Sequence, residues 1–385
     1  MRIYLDHNAT TPVRQEVVDA MLPVLREDFG NPSSTHAEGA AARKLVERAR
    51  EQVGGALGVA ADEVFFSAGA TESNNAVLYG VLRGAAAAGA ATHLVTTQIE
   101  HPSVVEPCEF LERQGVSVSR VGVDEDGLLD LGGFDEALGR QGTALASVIW
   151  ANNETGVVQP LTEIGASVGR HGVPLHVDAT QALGKIRIDL QDVPVDFLSC
   201  SAHKLNGPKG VGALVVRRGC EIPPLLVGGP QEKRRRGGTE NVASIVGFGV
   251  ACELARLECA ARATRYASLR DRLWEGIAAK VPRVRRNGHP EQVLPNTLSV
   301  EVTGAPGEVI LQALDLEGVA ASAGAACHSG SITPSHVLSA MGRSPEQARS
   351  SLRLSVGLGV DEGQIDRVVA LLAELVSRAR AVEAP

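Results

Sequence analysis

The sequence predicts an α/β chain: a mainly parallel, helix-covered sheet followed by a smaller α+β unit. Three observations lead there. Seven short apolar runs lie between about Ala37 and Val216, most of them separated by segments of helical length. From about Ala251 the texture changes to charged helical sequence and short alternating stretches. Several residues able to do chemistry stand where the apolar runs end, and in open α/β sheets ligands bind beyond the carboxyl ends of the strands.

In chain order, Leu45, Val46, Ala49, Val53 and Leu57 recur at helical spacing. The apolar runs Val64–Phe66, Leu94–Thr96, Val116–Val121, Leu145–Trp150, Val173–Val177, Val195–Leu198 and Val211–Val216 follow, each short enough for a buried strand. The alanine run Ala85–Ala88 is expected to end a helix and enter a surface loop. Charged helical sequence then runs to Lys280, with Pro282 and Pro290 as punctuation. Leu298–Val302 alternates like a half-solvated strand. Ile365, Val368, Val369, Leu372, Leu375, Val376 and Ala379 mark one face of a final helix, with Asp361 and Gln364 placed for a capping-box-like start.

The 385 residues include 44% hydrophobic and 21% charged residues, enough for a substantial core and unlike a disordered chain. The formal net charge of −8 argues against nucleic acid as the main partner, because phosphate contacts need a positive surface. Cys108, Cys200, Cys220, Cys252, Cys259 and Cys327 are scattered with no CxxC pair, so zinc and redox-motif readings gain little and no metal is expected. Low cysteine density fits a reducing compartment. The N-terminal stretch MRIYLDHNATTP has no charged-then-apolar leader, and no apolar run is long enough for a membrane span. The expectation is a soluble cytoplasmic protein without a membrane partner.

The stretch SCSAHKLNGPKG places His203 and Lys204 just beyond an apolar run and then stiffens the backbone with glycine and proline. Lysine is costly to desolvate, so a lysine there is either snorkelling or held for chemistry. Upstream, LHVDATQ puts Asp178 at the end of another run. A strand-end lysine with a strand-end aspartate suits pyridoxal phosphate: the amine takes the aldehyde, and the acid keeps the pyridine nitrogen protonated. A structural Lys–Asp ion pair explains the two residues equally well.

In FFSAGATESNN, small residues between a strand and a helix let backbone N–H groups approach a single phosphate, with Thr71 as a further donor. A plain strand–helix turn looks the same. In QIEHPS, His101 follows a strand and suits ring stacking and proton transfer, although a lone histidine is more often structural. ANNETG, containing Asn153, offers polar groups at the same edge.

YLDHNATTP, GNPSSTH, SAGATESNN, EHPSV, ANNETGVVQP, HVDATQALGK, SAHKLNGPKG, GGTEN and SAGAACHSGSITPSHVL occur in that order. With them the chain resembles, over nearly its whole length, the cysteine desulfurases of the nitrogen-fixation and iron–sulfur-cluster type, within the class V aminotransferase fold. The resemblance implies a PLP-dependent transferase of fold type I, with a mainly parallel seven-stranded sheet in a large domain (13–254). A smaller α+β domain (1–12 and 255–385) would carry the catalytic cysteine loop at about 321–334.

It further implies that Lys204 is joined to the pyridoxal 5'-phosphate aldehyde, that Asp178 pairs with the pyridine nitrogen and that Gln181 bonds the phenolic oxygen. His101 would stack on the ring and assist proton transfer. Ala70, Thr71, Ser201 and His203 would hold the phosphate, and Thr239 would reach the phosphate of the neighbouring subunit in a homodimer. Asn153 would contact cofactor and substrate, and Arg353 would clamp the carboxylate of L-cysteine. Cys327 would be the nucleophile, in a longer loop suited to handing sulfur to an acceptor protein. The implied activity is conversion of cysteine to alanine with the sulfur held as a persulfide.

Some positions depart from the family pattern. Ala202 replaces a frequent glycine, Asn206 a common aromatic, and Pro230 a glycine or histidine. The cysteine stretch AGAACHSG is also similar to that of selenocysteine lyases, so release of selenide is the alternative reading. An aminotransferase on the same fold is a more distant one. A basic docking module built on Lys233–Arg236, without enzymatic activity, is the non-enzyme reading.

Overall fold

The computed structural model describes residues 2–87, 89, 92–323 and 334–383. Strand β1 (Ile3–Tyr4) and helices α1 (Gln15–Arg26) and α2 (Ala37–Leu57) lead into β2 (Val64–Ser67), α3 (Ala70–Ala87), β3 (His93–Thr97), α4 (Pro102–Glu112) and β4 (Ser117–Val121). Next come α5 (Leu131–Leu138), β5 (Thr143–Ile149), α6 (Leu161–His171), β6 (Leu175–Asp178), β7 (Phe197–Ser201) and β8 (Gly212–Val216). The strands of this part form one seven-stranded sheet in the order β2-β8-β7-β6-β5-β3-β4. Each predicted apolar run supplies one strand. Only β8 runs antiparallel to its neighbours. The carboxyl ends of β2, β3, β5, β6 and β7 therefore meet at one edge, together with the start of β8.

Alternation along the strands divides the side chains between two layers. Phe66, Val95, Ala146, Val177 and Leu198 pack beneath α1, α2, α5, α6 and the first half of α7 (Val242–Lys280). Their neighbours Phe65, Leu94, Leu145, Phe197 and Leu214 pack against Leu78 and Leu82 of α3 and Leu111 of α4. A sheet covered on both faces explains why its strands read as continuous apolar runs.

Helix α7 is continuous across the change of texture at Ala251. Its first half, to Ala255, belongs to the core of the large sheet, and Tyr266, Leu269, Leu273 and Ile277 belong to a second core. There it meets β9 (Val284–Asn287), β10 (Thr297–Val302), α8 (Gly307–Leu316), β11 (Val319–Ala320), β12 (Ser322–Ala323), α9 (His336–Ala340), α10 (Pro345–Arg349), β13 (Ser351–Ser355) and α11 (Glu362–Glu383). The antiparallel order is β12-β13-β10-β9, and β1 pairs with β11 beside it.

One expectation needs correcting here. Strand β10 is buried along its whole length rather than half-solvated. It lies between β13 and β9, and its polar residues find partners inside: Asn287 Nδ2 donates to Ser299 Oγ at 3.3 Å and to Ser351 Oγ at 3.1 Å. The start of α11 is the reciprocal box read from the sequence. Gln364 N donates to Asp361 Oδ1 at 2.8 Å, and Asp361 N to Gln364 Oε1 at 3.2 Å.

Candidate active site

A cavity of ≈ 680 Å³ opens at the carboxyl edge of the large sheet. Ala70, Thr71, His101, Asn153, Asp178, Gln181, Ser201, His203, Lys204 and Arg353 all line it. Thr239 does not; it is exposed on the surface. Cys327 lies outside the described residues.

Lys204 follows β7 in a single tight turn, Ala202–Lys204. The N-terminal segment clamps that turn. Thr11 N and Thr11 Oγ1 both donate to His203 O, at 3.0 and 2.8 Å, and Asn206 N donates to Thr11 Oγ1 at 2.8 Å. Asn206 adopts φ 67°, a left-handed conformation that asparagine tolerates far better than a bulky residue, and its side chain donates to Pro12 O at 3.0 Å.

The Lys204 amine donates to Asn8 O at 2.6 Å and Ala9 O at 2.7 Å, whereas Asp178 is held elsewhere. The structural ion pair left open by the sequence does not form. Burial, reinforced by Arg353, pulls the Lys204 pKa down to about 8 against the attraction of Asp6 and Asp178.

Asp178 ends β6 and is buried. Its Oδ2 accepts from Asn74 Nδ2 at 2.8 Å and its Oδ1 from Thr180 N at 2.9 Å. Asn74 also donates to Ser103 Oγ at 2.8 Å, and Ser103 Oγ meets His101 Nδ1 at 2.8 Å. Ser103 N donates to the same ring nitrogen at 3.1 Å, so Nδ1 is the acceptor and, in the neutral ring, Nε2 carries the proton. The His101 ring stays accessible from the cavity but is hemmed in by protein on its other sides. That desolvation lowers its pKa; Lys204 and His336 act in the same direction and Asp178 opposes them.

Between β2 and α3 the chain turns through Gly69 at φ 154°, a backbone conformation that side chains rarely permit. Ser73 N donating to Gly69 O at 3.2 Å closes the first helical turn, so the N–H groups of Ala70, Thr71 and Glu72 precede it and are available for an anion. Gly212 of β8 must also lack a side chain: a Cβ there would lie 2.5 Å from Cys200 O and 2.7 Å from Gly69 Cα. His203 lines the same cavity, its pKa lowered to about 4 by burial and then by Lys204, Lys209 and Lys185, so it is neutral at physiological pH.

Arg353 comes from the second core. Leu352 and Leu354 of β13 point into that core, so Arg353 between them faces the cavity. Its Nη2 donates to Asp6 Oδ1 at 2.7 Å and its Nη1 to Asn153 O at 3.0 Å, while its buried Nε has no partner among the described residues.

The site fits pyridoxal 5'-phosphate on its own geometry. Among the described residues it offers a lysine amine bound only to carbonyls, a carboxylate anchored at both oxygens, a helix N-terminus with donors to spare, and the buried Thr180 hydroxyl without a partner. Sequence reasoning gave no role to Asn8, Asn74, Ser103, Thr180 or Lys185. All five stand inside quoted motifs, yet no spacing rule marks them as supports.

Two buried acids lie just outside the cavity lining. Glu100 accepts from Thr97 Oγ1 at 2.7 Å and Ile149 N at 2.8 Å, and its other oxygen has no partner. Burial raises its pKa from 4.5 to about 8, and that of Glu154 to about 7. Between the ordinary and the raised value the unfolded chain has released a proton that the folded chain keeps, so stability falls as pH rises through that window. Above about pH 8 the cost of ionising Glu100 is complete, roughly a few kcal/mol. Glu100→Gln is expected to make the fall in Tm from acid to about pH 8 shallower. An unchanged slope in scanning calorimetry would refute this.

The basic run is only partly free: Lys233 and Arg234 are exposed, but the other two cations are engaged within the chain. Arg235 lies 4.6 Å above the Phe65 ring, Arg236 pairs with Glu72 at 3.1 Å, and the neighbouring Glu232 is buried against Arg50 at 2.8 Å.

A lysine and an acid presented by a mainly parallel sheet, beside an anion-binding turn, define a transferase-type site. Residues 3–368 match the family model for aminotransferase class-V. The cysteine desulfurase of Trichormus azollae is 45% identical, over 99% of this chain and 94% of its own length. Cysteine desulfurase IscS of Dictyoglomus turgidum is 42% identical, over 99% and 96%. Among solved structures, a NifS-like protein superposes with a TM-score of 0.92 at 36% identity, covering 98% of this chain and all of that one. SspA in complex with cysteine gives 0.81 at 35% identity, over 92% and 99%. The chain belongs to the class V aminotransferase family and, within it, to the cysteine desulfurases.

Proposed function

We propose that this chain binds pyridoxal 5'-phosphate at the sheet edge and converts L-cysteine to L-alanine, keeping the sulfur as a persulfide on Cys327. An acceptor protein of an iron–sulfur-cluster or thiolation pathway then takes the sulfur. The carrying observation is the Lys204 amine, bound to no carboxylate and lowered to about 8, in one cavity with Asp178. The similarity to SspA in complex with cysteine supports the substrate.

When bound, the cofactor withdraws electrons from the amino acid's Cα and so loosens the bonds around it. Lys204 would hold the cofactor through its amine, and the same amine would take the Cα proton of the substrate; a pKa near 8 keeps part of the amine in the basic form at neutral pH. Asp178, fixed by Asn74 and the Thr180 N–H, keeps a proton on the pyridine nitrogen. Gln181 donates to the phenolic oxygen. Thr71, Ser201, neutral His203 and the Ala70 N–H hold the phosphate.

Arg353 and Asn153 seat the substrate carboxylate. The Cys327 thiolate attacks the substrate sulfur, the Cβ–S bond breaks with its electron pair leaving on the carbon side, and proton uptake there completes alanine. His101 moves the proton through Nε2, giving the one it carries to the alanine carbon and taking the thiol proton in its place. In a homodimer, Thr239 of each chain serves the neighbour's phosphate. Residues 13–254 form the cofactor-binding domain, and 1–12 with 255–385 the smaller one; the division of apolar residues into two cores supports this.

The absorption spectrum tests the reading. The purified protein, supplied with pyridoxal phosphate, should show a visible band that changes on adding cysteine, and alanine should accumulate. A protein that stays colourless would end this proposal. Arg353→Lys should raise KM for cysteine by on the order of tenfold with a smaller effect on kcat, because an ammonium cannot reproduce the planar fork. Steady-state kinetics with an unchanged KM would remove Arg353 from substrate binding.

A further inference from the structure

Lys185 lies behind the cavity wall with 5% of its surface exposed and, among the described residues, no carboxylate partner. Its amine donates to Asn8 Oδ1 at 3.0 Å and to Gln181 Oε1. Two acceptors match the two N–H groups of an uncharged amine. Burial, with Lys204 and Arg353 nearby, keeps the Lys185 pKa well below that of an ordinary lysine.

What the two acceptors do next gives the contact its meaning. With its oxygen taken by Lys185, the Gln181 amide donates one N–H to Asn8 O at 2.9 Å, and the other N–H is left for the cavity that Gln181 lines. Asn8 is itself a junction. Its Oδ1 also accepts from Asn296 at 3.0 Å, its Nδ2 donates to Asn153 O at 3.2 Å, and its carbonyl accepts from Lys204 at 2.6 Å. Removing the amine would leave Gln181 Oε1 without its donor, leave Asn8 Oδ1 with the Asn296 amide alone, and free the Gln181 amide to turn.

We propose that Lys185 is a positioning residue: through one buried amine it sets the orientation of the Gln181 amide and seats Asn8 beneath Lys204, without touching substrate or cofactor itself. This deepens the proposed function and rests on it for the catalytic consequence, since Gln181 acts there on the phenolic oxygen.

The test compares Lys185→Met, which keeps length and apolar bulk but has no donor, with Lys185→Gln, which restores an N–H. In apoprotein labelled with 15N-glutamine, Lys185→Met should move the Gln181 side-chain amide signals and Lys185→Gln should return them towards the wild-type positions. In the holoprotein, Lys185→Met should shift the visible band and lower kcat/KM by on the order of tenfold. In a Gln181→Ala background it should cost less than it does alone, because the two changes share the Lys185–Gln181 contact. Lys185→Ala is read in its place if the methionine variant does not fold.

A variant with lower Tm but unaltered amide signals, spectrum and kcat/KM would make Lys185 scaffold only. Additive losses in the double variant would equally overturn the proposal. A colourless wild type would refute the proposed function, while the apoprotein amide signals would still decide the placement of Gln181 by Lys185.

Discussion

Lys204→Ala lowers alanine formation from cysteine by on the order of 10³-fold or more and leaves no cofactor covalently attached. Two roles are lost together, the covalent hold and the base for the Cα proton. No neighbour takes over. Lys185 is buried behind Gln181 and outside the cavity lining, and Lys209, which does line the cavity, is exposed there rather than held between the Asn8 and Ala9 carbonyls. Borohydride reduction followed by peptide mass analysis reads the result. Wild-type protein should carry the reduced cofactor on the Lys204 peptide, and the variant should release it on dialysis. Full turnover by the variant would refute the assignment.

Cys327→Ala is the second large effect. Cofactor binding and the spectral response to cysteine should persist, because no residue placed at the cavity is changed. Persulfide formation and sulfide release from cysteine should fall by a comparable factor, since the atom that accepts sulfur is gone. Selenocysteine distinguishes the alternative chemistry. A selenolate leaves more readily than a thiolate, so selenide release should survive the substitution better than sulfide release. Equal retention of both activities would remove Cys327 from the reaction. Retention of selenide release alone, with weak use of cysteine by the wild type, would favour the lyase reading.

These outcomes draw on two kinds of information. The strand ends were legible because burial on both faces of a parallel sheet writes itself as short apolar runs, and Lys204 and Asp178 stand just beyond two of them. The strand at Thr297–Val302 misled because alternation normally marks one wet face. Here Asn287 supplies Ser299 on the polar face with a partner inside the protein and links it to Ser351. The fork between an ion pair and a reactive lysine was not legible either, because Lys204 and Asp178 are equally well placed for both. Asn8 and Ala9 decide it by accepting the amine, and they lie almost two hundred residues upstream.

The sequence alone determined the layered architecture, the edge at which ligands gather, and the residues there able to do chemistry, since all three follow from local periodicity and residue type. Tertiary structure alone decided which groups support them. Arg353 reaches Asp6, Lys185 reaches Asn8, and Asn74 joins Asp178 to Ser103. Such pairings join segments far apart in the chain, so no spacing encodes them. They exist because a buried polar group needs a partner, and only the folded chain brings that partner within reach.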